Sequence, residues 1–430
     1  MTLAFGVLLI VLVAGFLARV PLGHAMIVAG AFYLFLSDRD LGNVAQMVMG
    51  GLYSKFILLA VPMFIFSAQI MNNSTVTDRV FDLAHALVGK LRGGLAQVDV
   101  VTSVIFSGMS GSAIADASGP GLLITRSQIR GGYPPGFACA ATCASATIGP
   151  IIPPSIPMVI YAYIASTSVG ALFAAGVIPG LLLAAVQMAL IGFIARRRGF
   201  PAPGWMGFMT LFTSFFKALP ALMTVVILLG GIYSGIFTPT EAAAVAALWA
   251  LLLAFFVYRS MGPKSFWRVF RVTLRQTAAI SMVIAGALLV SYAVAAEGIG
   301  RRLGDSILSL TDNGTVLLLL VMLIFLVLGM FLDTIVLLLV MVPIILPAMN
   351  AAGVDPVHLG VVLTLNMMIG LSTPPMGVLL LLMSNLTSTP LSEIIREIWP
   401  FLLNLILTLT LLIFFPAISL WLPGLLGYSG

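Results

Sequence analysis

Three serines and two glycines fall within six residues, in a long apolar stretch of the first half of the chain. The run is Ser107–Ser112, with the sequence SGMSGS. At the tip of a helical hairpin inside a membrane, such a run would expose hydroxyls and main-chain carbonyls. These are hard, neutral oxygen donors, and unwound helix ends offer similar groups to Na⁺ in transporters. Close packing of helices through small residues is the alternative explanation of this run taken alone.

A break of a different kind follows in the same half. The segment Gly149–Ser155 reads GPIIPPS. Proline removes a main-chain donor and clashes with the preceding turn, so a helix should stop here and leave carbonyls without intrahelical partners. Such breaks are tolerated at membrane depth only where protein or a water-filled cavity satisfies the freed groups. We therefore predict that the hairpin tip and this break together form an oxygen shell for a cation.

Both features recur in the second half of the chain, in register. Gly108 precedes Gly149 by 41 residues, and Gly329 precedes Gly370 by the same distance. At the resulting offset of 221 residues, the Pro-Pro pair at 153–154 coincides with the pair at 374–375. Apolar segments interrupted by Gly and Pro at corresponding positions of two halves are the best sequence indication of a transporter binding site.

We predict an internal repeat with inverted topology, in which each half contributes one re-entrant helical hairpin and one broken helix. The hairpins are placed at 95–125 and 317–349, and the broken helices at 137–164 and 359–383. In the second half the cation shell would be repeated by Gly329 against Gly370, Thr373 and Met376.

Two acids, Asp116 and Asp333, lie next to these breaks. An ionisable group inside a bilayer costs roughly 2.5–3.5 kcal/mol on insertion scales, so a functional role is the default hypothesis. Capping of a helix start is the alternative for each. The two are not equivalent in the repeat, because Ser112 corresponds to Asp333. Ordering a hairpin or holding a water suits an acid better than direct contact with an anionic substrate.

Helix N-termini at the breaks carry partial positive charge, which suits a carboxylate substrate. Hydroxyls near the same breaks could donate to it. With the two acids, the candidate substrate-binding residues are Ser110, Ser112, Asp116, Ser155, Asp333 and Thr373.

The composition requires a membrane as the solvent for most of the chain. Of 430 residues, 61% are hydrophobic and 8% are charged, whereas a soluble domain has about 25% charged residues. The net charge of +6 comes from short basic stretches between apolar runs, such as Arg196–Arg198, which are typical of cytoplasmic loop anchors. This pattern excludes a soluble nucleic-acid-binding protein.

The run Leu3–Ala18 is followed by Arg19 and not by a small-residue cleavage site, so we interpret it as the first helix of the mature protein.

The predicted fold is an all-α polytopic membrane protein with about eleven spans. Its regions are N-terminal scaffold helices at 1–92, a first transport repeat at 93–195, connecting, interfacial-arm and scaffold helices at 196–312, a second transport repeat at 313–390, and a C-terminal helix at 391–430. Cys139 and Cys143 are interpreted as small buried residues that bind no metal. A membrane-embedded enzyme is disfavoured because it would need a titratable cluster facing one aqueous side, and two spaced acids do not supply one.

Five stretches together resemble the large membrane subunit of tripartite ATP-independent periplasmic (TRAP) transporters. They are FSGMSGSAIAD at 106–116, IGPIIPPS at 148–155, GIFTPTEAA at 235–243, GMFLDT at 329–334 and GLSTPPMG at 370–377. The resemblance implies an elevator-type carrier of the inner membrane, coupled to two or more Na⁺ ions. It also implies a small membrane subunit, here as a separate polypeptide, and a soluble binding protein that delivers an organic acid from the periplasm. Dicarboxylates, sialic acid and related carboxylates are the substrates that the family favours.

The resemblance also implies ligands for Na⁺. One ion would be bound around Ser107, Ser110, Gly149, Ile152 and Pro154, and another near Gly329, Gly370, Thr373 and Met376. The small organic acid and membrane lipid are the other expected partners. No nucleic acid is expected. A self-sufficient Na⁺- or H⁺-coupled carboxylate carrier of the same fold superfamily, working without a binding protein, is the alternative.

Overall fold

The computed structural model describes residues 2–53, 56–200, 207–299, 302 and 313–428, and within these ranges all regular structure is helical. Parts of the predicted connecting region, at 201–206, 300–301 and 303–312, lie outside the described residues. The helices of the first half are α1 (Leu3–Leu17), α2 (Leu22–Leu36), α3 (Gly42–Tyr53), α4 (Ala60–Asn72), α5 (Val76–Val88), α6 (Gly94–Ser110), α7 (Ala113–Asp116), α8 (Leu122–Arg130), α9 (Pro135–Ala146), α10 (Ile156–Ala165) and α11 (Val169–Arg198). Those that follow are α12 (Phe208–Tyr233), α13 (Pro239–Leu252), α14 (Pro263–Ala296), α15 (Gly314–Gly329), α16 (Thr334–Ala351), α17 (Pro356–Leu371), α18 (Val378–Thr387), α19 (Leu391–Phe414) and α20 (Ala417–Leu425).

Six of the described helices are long and apolar enough to cross a membrane, and a bent pair that includes α4 brings the number to seven. Seven further apolar helices have only 10–17 residues. A full span needs about 20 residues, so spanning-length helices are fewer than the eleven predicted. The physical reason is that Gly and Pro divide several apolar stretches into shorter helices, which can enter the membrane without crossing it alone.

The first hairpin forms where α6 ends. Gly111 takes a left-handed conformation with φ of +61°, which residues with a Cβ rarely adopt. Ser112 then starts α7, because its hydroxyl accepts a hydrogen bond from the main-chain N–H of Ala115 at 3.3 Å. A π-helical turn at Ala117–Gly121, which contains Pro120, leads into α8. The hydroxyl-rich run thus lies at a hairpin tip, as the sequence predicts.

The first broken helix consists of α9 and α10, with nine non-helical or turn residues between them. Ser155 starts α10 by accepting a hydrogen bond from the N–H of Met158 at 3.2 Å. The long helix α11 crosses directly behind the break, where a Cβ on Gly176 would lie 2.1 Å from the carbonyl oxygen of Ile151. Because this residue is glycine, α11 can lie directly against the main chain of the break, with no side chain between them.

The second half has the same arrangement. Helices α15 and α16 form a hairpin whose turn ends at Asp333, the cap of α16. Helices α17 and α18 are separated by the break at 372–377. The Pro153-Pro154 and Pro374-Pro375 peptide bonds are both cis. The predicted fold class, an all-helical polytopic protein with a hairpin and a broken helix in each half, is confirmed, whereas the domain boundaries stay a prediction.

Small residues hold α2 against α14, next to the hairpins. A Cβ on Gly286 would lie 2.8 Å from the carbonyl oxygen of Gly23 and 2.6 Å from the Cβ of Met26. A Cβ on Gly23 would in turn meet the main chain of Met282 at 2.7 Å. Helix pairs in membranes gain little from burying apolar surface, so close main-chain contact of this kind supplies much of their attraction.

We expect Gly286→Ala to force α2 and α14 apart, because the new methyl group overlaps main-chain atoms that cannot move separately. Overpacking of this kind costs about 1–3 kcal/mol. The melting temperature of the purified chain in detergent should fall. The matched control is Gly230→Ala in α12, where a Cβ would have no atom within 4 Å. Equal melting temperatures for the two variants would contradict the close contact of α2 with α14.

Candidate functional site

A cavity of about 530 Å³ lies between the two hairpin tips and helices α4 and α14. Most of its lining is apolar. Its polar lining comes from Ser110, Ser112, Ser118, Asp333, Thr334, Gln69 and Gln276. Both repeats therefore contribute to one space, and helices from outside the repeats close it on the opposite side.

Three of the six predicted substrate-binding residues line this cavity: Ser110, Ser112 and Asp333. The other three, Asp116, Ser155 and Thr373, are buried and are not among the lining residues. The hydroxyl of Ser155 caps α10, and the hydroxyl of Thr373 donates to the carbonyl of Ile369 at 2.6 Å. The assignment of all six to substrate binding stays a prediction.

The two lining residues that correspond in the repeat, Ser112 and Asp333, both cap helices. An oxygen of the Asp333 carboxyl accepts from the N–H of Ile335 at 2.9 Å, as the Ser112 hydroxyl does from Ala115. The capping alternative considered for Asp333 therefore holds, and its side chain is at the same time exposed to the cavity. Among the described residues that line the cavity, Asp333 is the one charged side chain.

The first predicted cation shell is brought together by main-chain contact between the hairpin tip and the break. A Cβ on Gly111 would lie 2.4 Å from the carbonyl oxygen of Pro154. A Cβ on Gly149 would lie 3.7 Å from the carbonyl of Ser112. The tip and the break thus meet through carbonyl groups, and the glycines leave the space that a cation or its ligands would need.

The two serines of this shell differ in how their hydroxyls are used. The hydroxyl of Ser107 donates to the carbonyl of Val104 at 2.6 Å. The hydroxyl of Ser110 is fully buried and has no hydrogen-bond partner. A buried polar group without a partner costs free energy and calls for an explanation such as an ion or a water. Ile152 packs against Gly180 of α11, so its side chain faces away from the tip.

The second predicted shell is built the same way, with glycine facing glycine. A Cβ on Gly370 would lie 2.8 Å from both the carbonyl carbon and the carbonyl oxygen of Gly329. Thr373 follows one turn later and is buried, whereas the side chain of Met376 is 47% exposed. Hairpin and break therefore touch in both halves. In the second half they meet at the predicted pair, Gly329 and Gly370, whereas in the first half they meet through Gly111 and Gly149, because Gly108 faces Val225 of α12.

Sequence reasoning missed the polar residues on the far wall of the cavity. Gln69 of α4 donates to Gln276 of α14 at 3.2 Å. Close by, the amide of Asn72 donates to the carbonyl of Ala115 in the first hairpin at 3.3 Å. A polar residue inside an apolar helical run is a signal that could have identified Gln69 and Asn72.

Sequence reasoning also missed Asp99, which is fully buried in α6. The criterion that selected Asp116, an ionisable group inside an apolar segment, applies equally to Asp99. It was overlooked because it lies near the start of the hairpin, away from the run of serines and glycines.

Residues 9–418 match the model of the family described as "Tripartite ATP-independent periplasmic transporter, DctM component". The sialic acid TRAP transporter large permease protein SiaM of Vibrio cholerae is 42% identical over 96% of this chain and 97% of its own length. The C4-dicarboxylate TRAP transporter large permease protein DctM of Pseudomonas aeruginosa is 38% identical over 93% of this chain and 94% of its own length.

Among solved structures, the crystal structure of the YdaH transporter of Alcanivorax borkumensis, described as having an unusual topology, is similar in fold. It matches with a TM-score of 0.60 over 87% of each chain at 15% sequence identity. The two proteins share an overall fold. From the family match and the relatives over nearly the whole length, the chain belongs to the TRAP transporter large permease family, whose members are multi-pass proteins of the inner membrane.

Proposed function

We propose that this TRAP large permease carries out Na⁺-coupled uptake of a small organic acid by an elevator mechanism. A periplasmic binding protein delivers the substrate, and a small membrane subunit, encoded as a separate polypeptide, completes the membrane part. The observation that carries the proposal is the junction of each hairpin tip with a broken helix, twice, at the border of one cavity.

The donor atoms at the two junctions fit Na⁺. They are neutral oxygens from main-chain carbonyls and hydroxyls, which are hard ligands suited to a hard monovalent cation. The buried hydroxyl of Ser110 has no hydrogen-bond partner within the protein. A cation bound at the junction would interact with its oxygen instead. The cradles at Gly111 and Gly370 would be filled by any side chain. On this basis we assign one Na⁺ to each junction, with the ligand sets that the family resemblance implies.

The charges around the cavity give a physical reason for coupling. A carboxylate needs positive charge nearby, and the charged group among the described lining residues is an acid, Asp333. The N-terminus of α16 supplies partial positive charge, and Asp333 as its cap offsets part of it. Cations held at the junctions on either side of the cavity would supply the remainder, so that carboxylate and Na⁺ bind more tightly together than apart.

The substrate class follows from the cavity and the relatives together. A cavity of about 530 Å³ is within the size range of small-molecule sites. The two relatives described above are named for sialic acid and for C4-dicarboxylates. We assign to this chain a substrate of that general class, a small organic acid with at least one carboxylate.

An elevator requires the hairpins and broken helices to move as a body against the remaining helices. Near α4, the polar contact across that boundary among the described residues is the amide hydrogen bond from Asn72, beside its close approach to Gly119. The other contacts there are apolar, such as Phe64 with Phe173 of α11, and apolar contacts suit sliding. Contacts within the moving body join the two repeats. Helix α9 packs against α18 of the other repeat, where the thiol of Cys143 donates to the carbonyl of Leu379 at 3.4 Å.

The proposal is tested by uptake of labelled organic acids into proteoliposomes that contain this chain and the small subunit. We expect uptake to need both an inward Na⁺ gradient and the binding protein. Uptake without the binding protein would favour the self-sufficient carrier. Uptake driven equally by a proton gradient without Na⁺ would contradict Na⁺ coupling.

Ser110→Ala should weaken Na⁺-dependent uptake with little loss of stability, because its hydroxyl makes no hydrogen bond within the protein. We expect the Na⁺ concentration for half-maximal uptake to rise about tenfold, which is roughly 1.4 kcal/mol of lost ligation, similar to one hydrogen bond to a charged group. The matched control is Ser127→Ala on α8 of the same hairpin, whose hydroxyl donates to Leu123. Unchanged Na⁺ dependence in Ser110→Ala would remove this serine from the shell.

A disulfide across the moving boundary should stop transport. A Cβ on Gly119 would lie 2.9 Å from the Cγ of Asn72, so cysteines at these positions come within disulfide reach. Oxidation of the Asn72→Cys/Gly119→Cys variant should abolish uptake, and reduction should restore it.

The control for this link lies within the moving body. The thiol of Cys139 is 3.3 Å from the hydroxyl of Thr387, so Thr387→Cys can form a disulfide with Cys139. Oxidation of this variant should leave uptake intact. If the boundary link formed and uptake continued, the elevator proposal would be wrong.

A further inference from the structure

A buried polar cluster lies behind the cavity, inside the first repeat, and the proposed transport cycle does not use it. Asp99 on α6, Thr125 and Gln128 on α8, and Thr142 on α9 are each at most 1% exposed. The cluster joins both arms of the first hairpin to the first half of the broken helix. None of these four residues lines the cavity.

Three short contacts between oxygen atoms run through the cluster. A carboxyl oxygen of Asp99 is 2.5 Å from the hydroxyl of Thr142. That hydroxyl is 2.6 Å from the hydroxyl of Thr125, which in turn is 2.9 Å from the carbonyl oxygen of Gly121. The amide of Gln128 also donates to the same Asp99 oxygen at 3.2 Å.

The hydrogens available to these three contacts decide the protonation of Asp99. Each contact is at hydrogen-bond distance for two oxygens and needs one hydrogen between them. A carbonyl has none, and the two threonines supply one each. If Asp99 were ionised, one of the three contacts would have no hydrogen, and its oxygens would repel. If Asp99 carries a proton, it donates to Thr142, Thr142 donates to Thr125, and Thr125 donates to Gly121.

The charges near Asp99 favour the same state. Among the described residues, the salt bridge within 4 Å joins Arg198 to Glu397. No basic side chain of these residues is therefore within 4 Å of the Asp99 carboxyl. The charged group close enough to act on Asp99 is another acid, Asp116 of α7. A buried ionised carboxyl without a cation is strongly unfavourable.

The other titratable groups around Asp99 do not change this balance. The thiols of Cys139 and Cys143 on α9 contact Thr387 and the carbonyl of Leu379 on α18, and neither supplies positive charge. Arg126 and Arg130, on the arm that carries Gln128, are exposed at the surface. Helices α4, α5, α11 and α12 also pack against α6 and place no cation within 4 Å of its carboxyl.

We propose that Asp99 is a proton-binding site whose proton closes a hydrogen-bonded chain from α6 through α9 to α8. The proton holds the two arms of the first hairpin to the broken helix, and its release leaves three oxygen contacts with two hydrogens and one buried charge. The site is distinct from the Na⁺ junctions and goes beyond the proposed function. It holds even if the transported substrate or the coupling ion is a different one.

The proton is visible to infrared spectroscopy of the full chain in detergent at neutral pH. A protonated carboxyl gives a carbonyl stretch that is separate from the carboxylate bands and shifts in D₂O. We expect this band in the wild type, and its loss in Asp99→Asn. Persistence of the whole band in Asp99→Asn, with loss only in Asp116→Asn, would overturn the proposal.

The pH dependence of stability gives a second measurement. The folded chain holds a proton that Asp99 releases on unfolding at neutral pH, so stability falls as pH rises, by about tenfold in the unfolding equilibrium per pH unit. The wild-type melting temperature should therefore decrease with pH more steeply than that of Asp99→Asn. The asparagine amide can donate to Thr142, and the carbonyl of Gln128 can accept from it after a turn of the Gln128 amide. Equal slopes for the two proteins would overturn the proposal.

A bound Na⁺ in place of the proton is the competing occupant. In that case Asp99→Asn would reduce the difference in melting temperature between NaCl and KCl below its wild-type value, whereas we expect the same difference in both proteins. If Asp99→Asn cannot be purified, Thr142→Val and Thr142→Ser serve instead. The valine variant removes the partner of the carboxyl and should shift the infrared band, and the serine variant should not. No shift with valine would overturn the proposal.

Discussion

Every main-chain N–H and C=O group within the hydrocarbon region must find a partner inside the protein, and the rest of this structure depends on that constraint. The chain breaks its helices at 147–155 and 372–377, where carbonyls lose their intrahelical donors. Each break is then covered by the tip of a hairpin and, in the first half, by α11. Breaks that would be unstable alone thus become stable as pairs. The same pairing concentrates free oxygen donors where a small cation can reach them.

Glycine makes this pairing possible because it removes the atom that would hold the segments apart. Pro154 and Gly111 meet through a carbonyl, and Gly329 and Gly370 meet main chain to main chain. The result is two similar junctions beside one cavity. Their neutral oxygens are the type of ligand that the proposed Na⁺ ions need, and the N-terminus of α16 beside the cavity would favour the proposed carboxylate substrate. A carrier that binds both at once needs no basic side chain at the site.

The two acids of the first hairpin and the acid of the second have different surroundings, and their roles follow from these. Asp333 caps α16 and faces the cavity, so it remains close to water and substrate. Asp99 lies in a closed chain of hydroxyls. The hydroxyl of Ser103 faces the carboxyl of Asp116, but neither carboxyl oxygen has a partner in hydrogen-bonding geometry. The criterion of an ionisable group inside an apolar segment applies to all three acids, whereas their hydrogen bonds differ.

The sequence by itself determined the membrane class, the repeat at an offset of 221 residues, the hairpins and broken helices, and the family. These depend on composition and on local breakers such as Pro153 and Gly111, whose effect on the main chain is independent of what packs around them. Only the tertiary structure decided which residues share the cavity, that Gln69 and Gln276 close it, and that Asp99 is enclosed with Thr142. Those relations join residues far apart in the chain, and their distances follow from how whole helices pack, which no local pattern records.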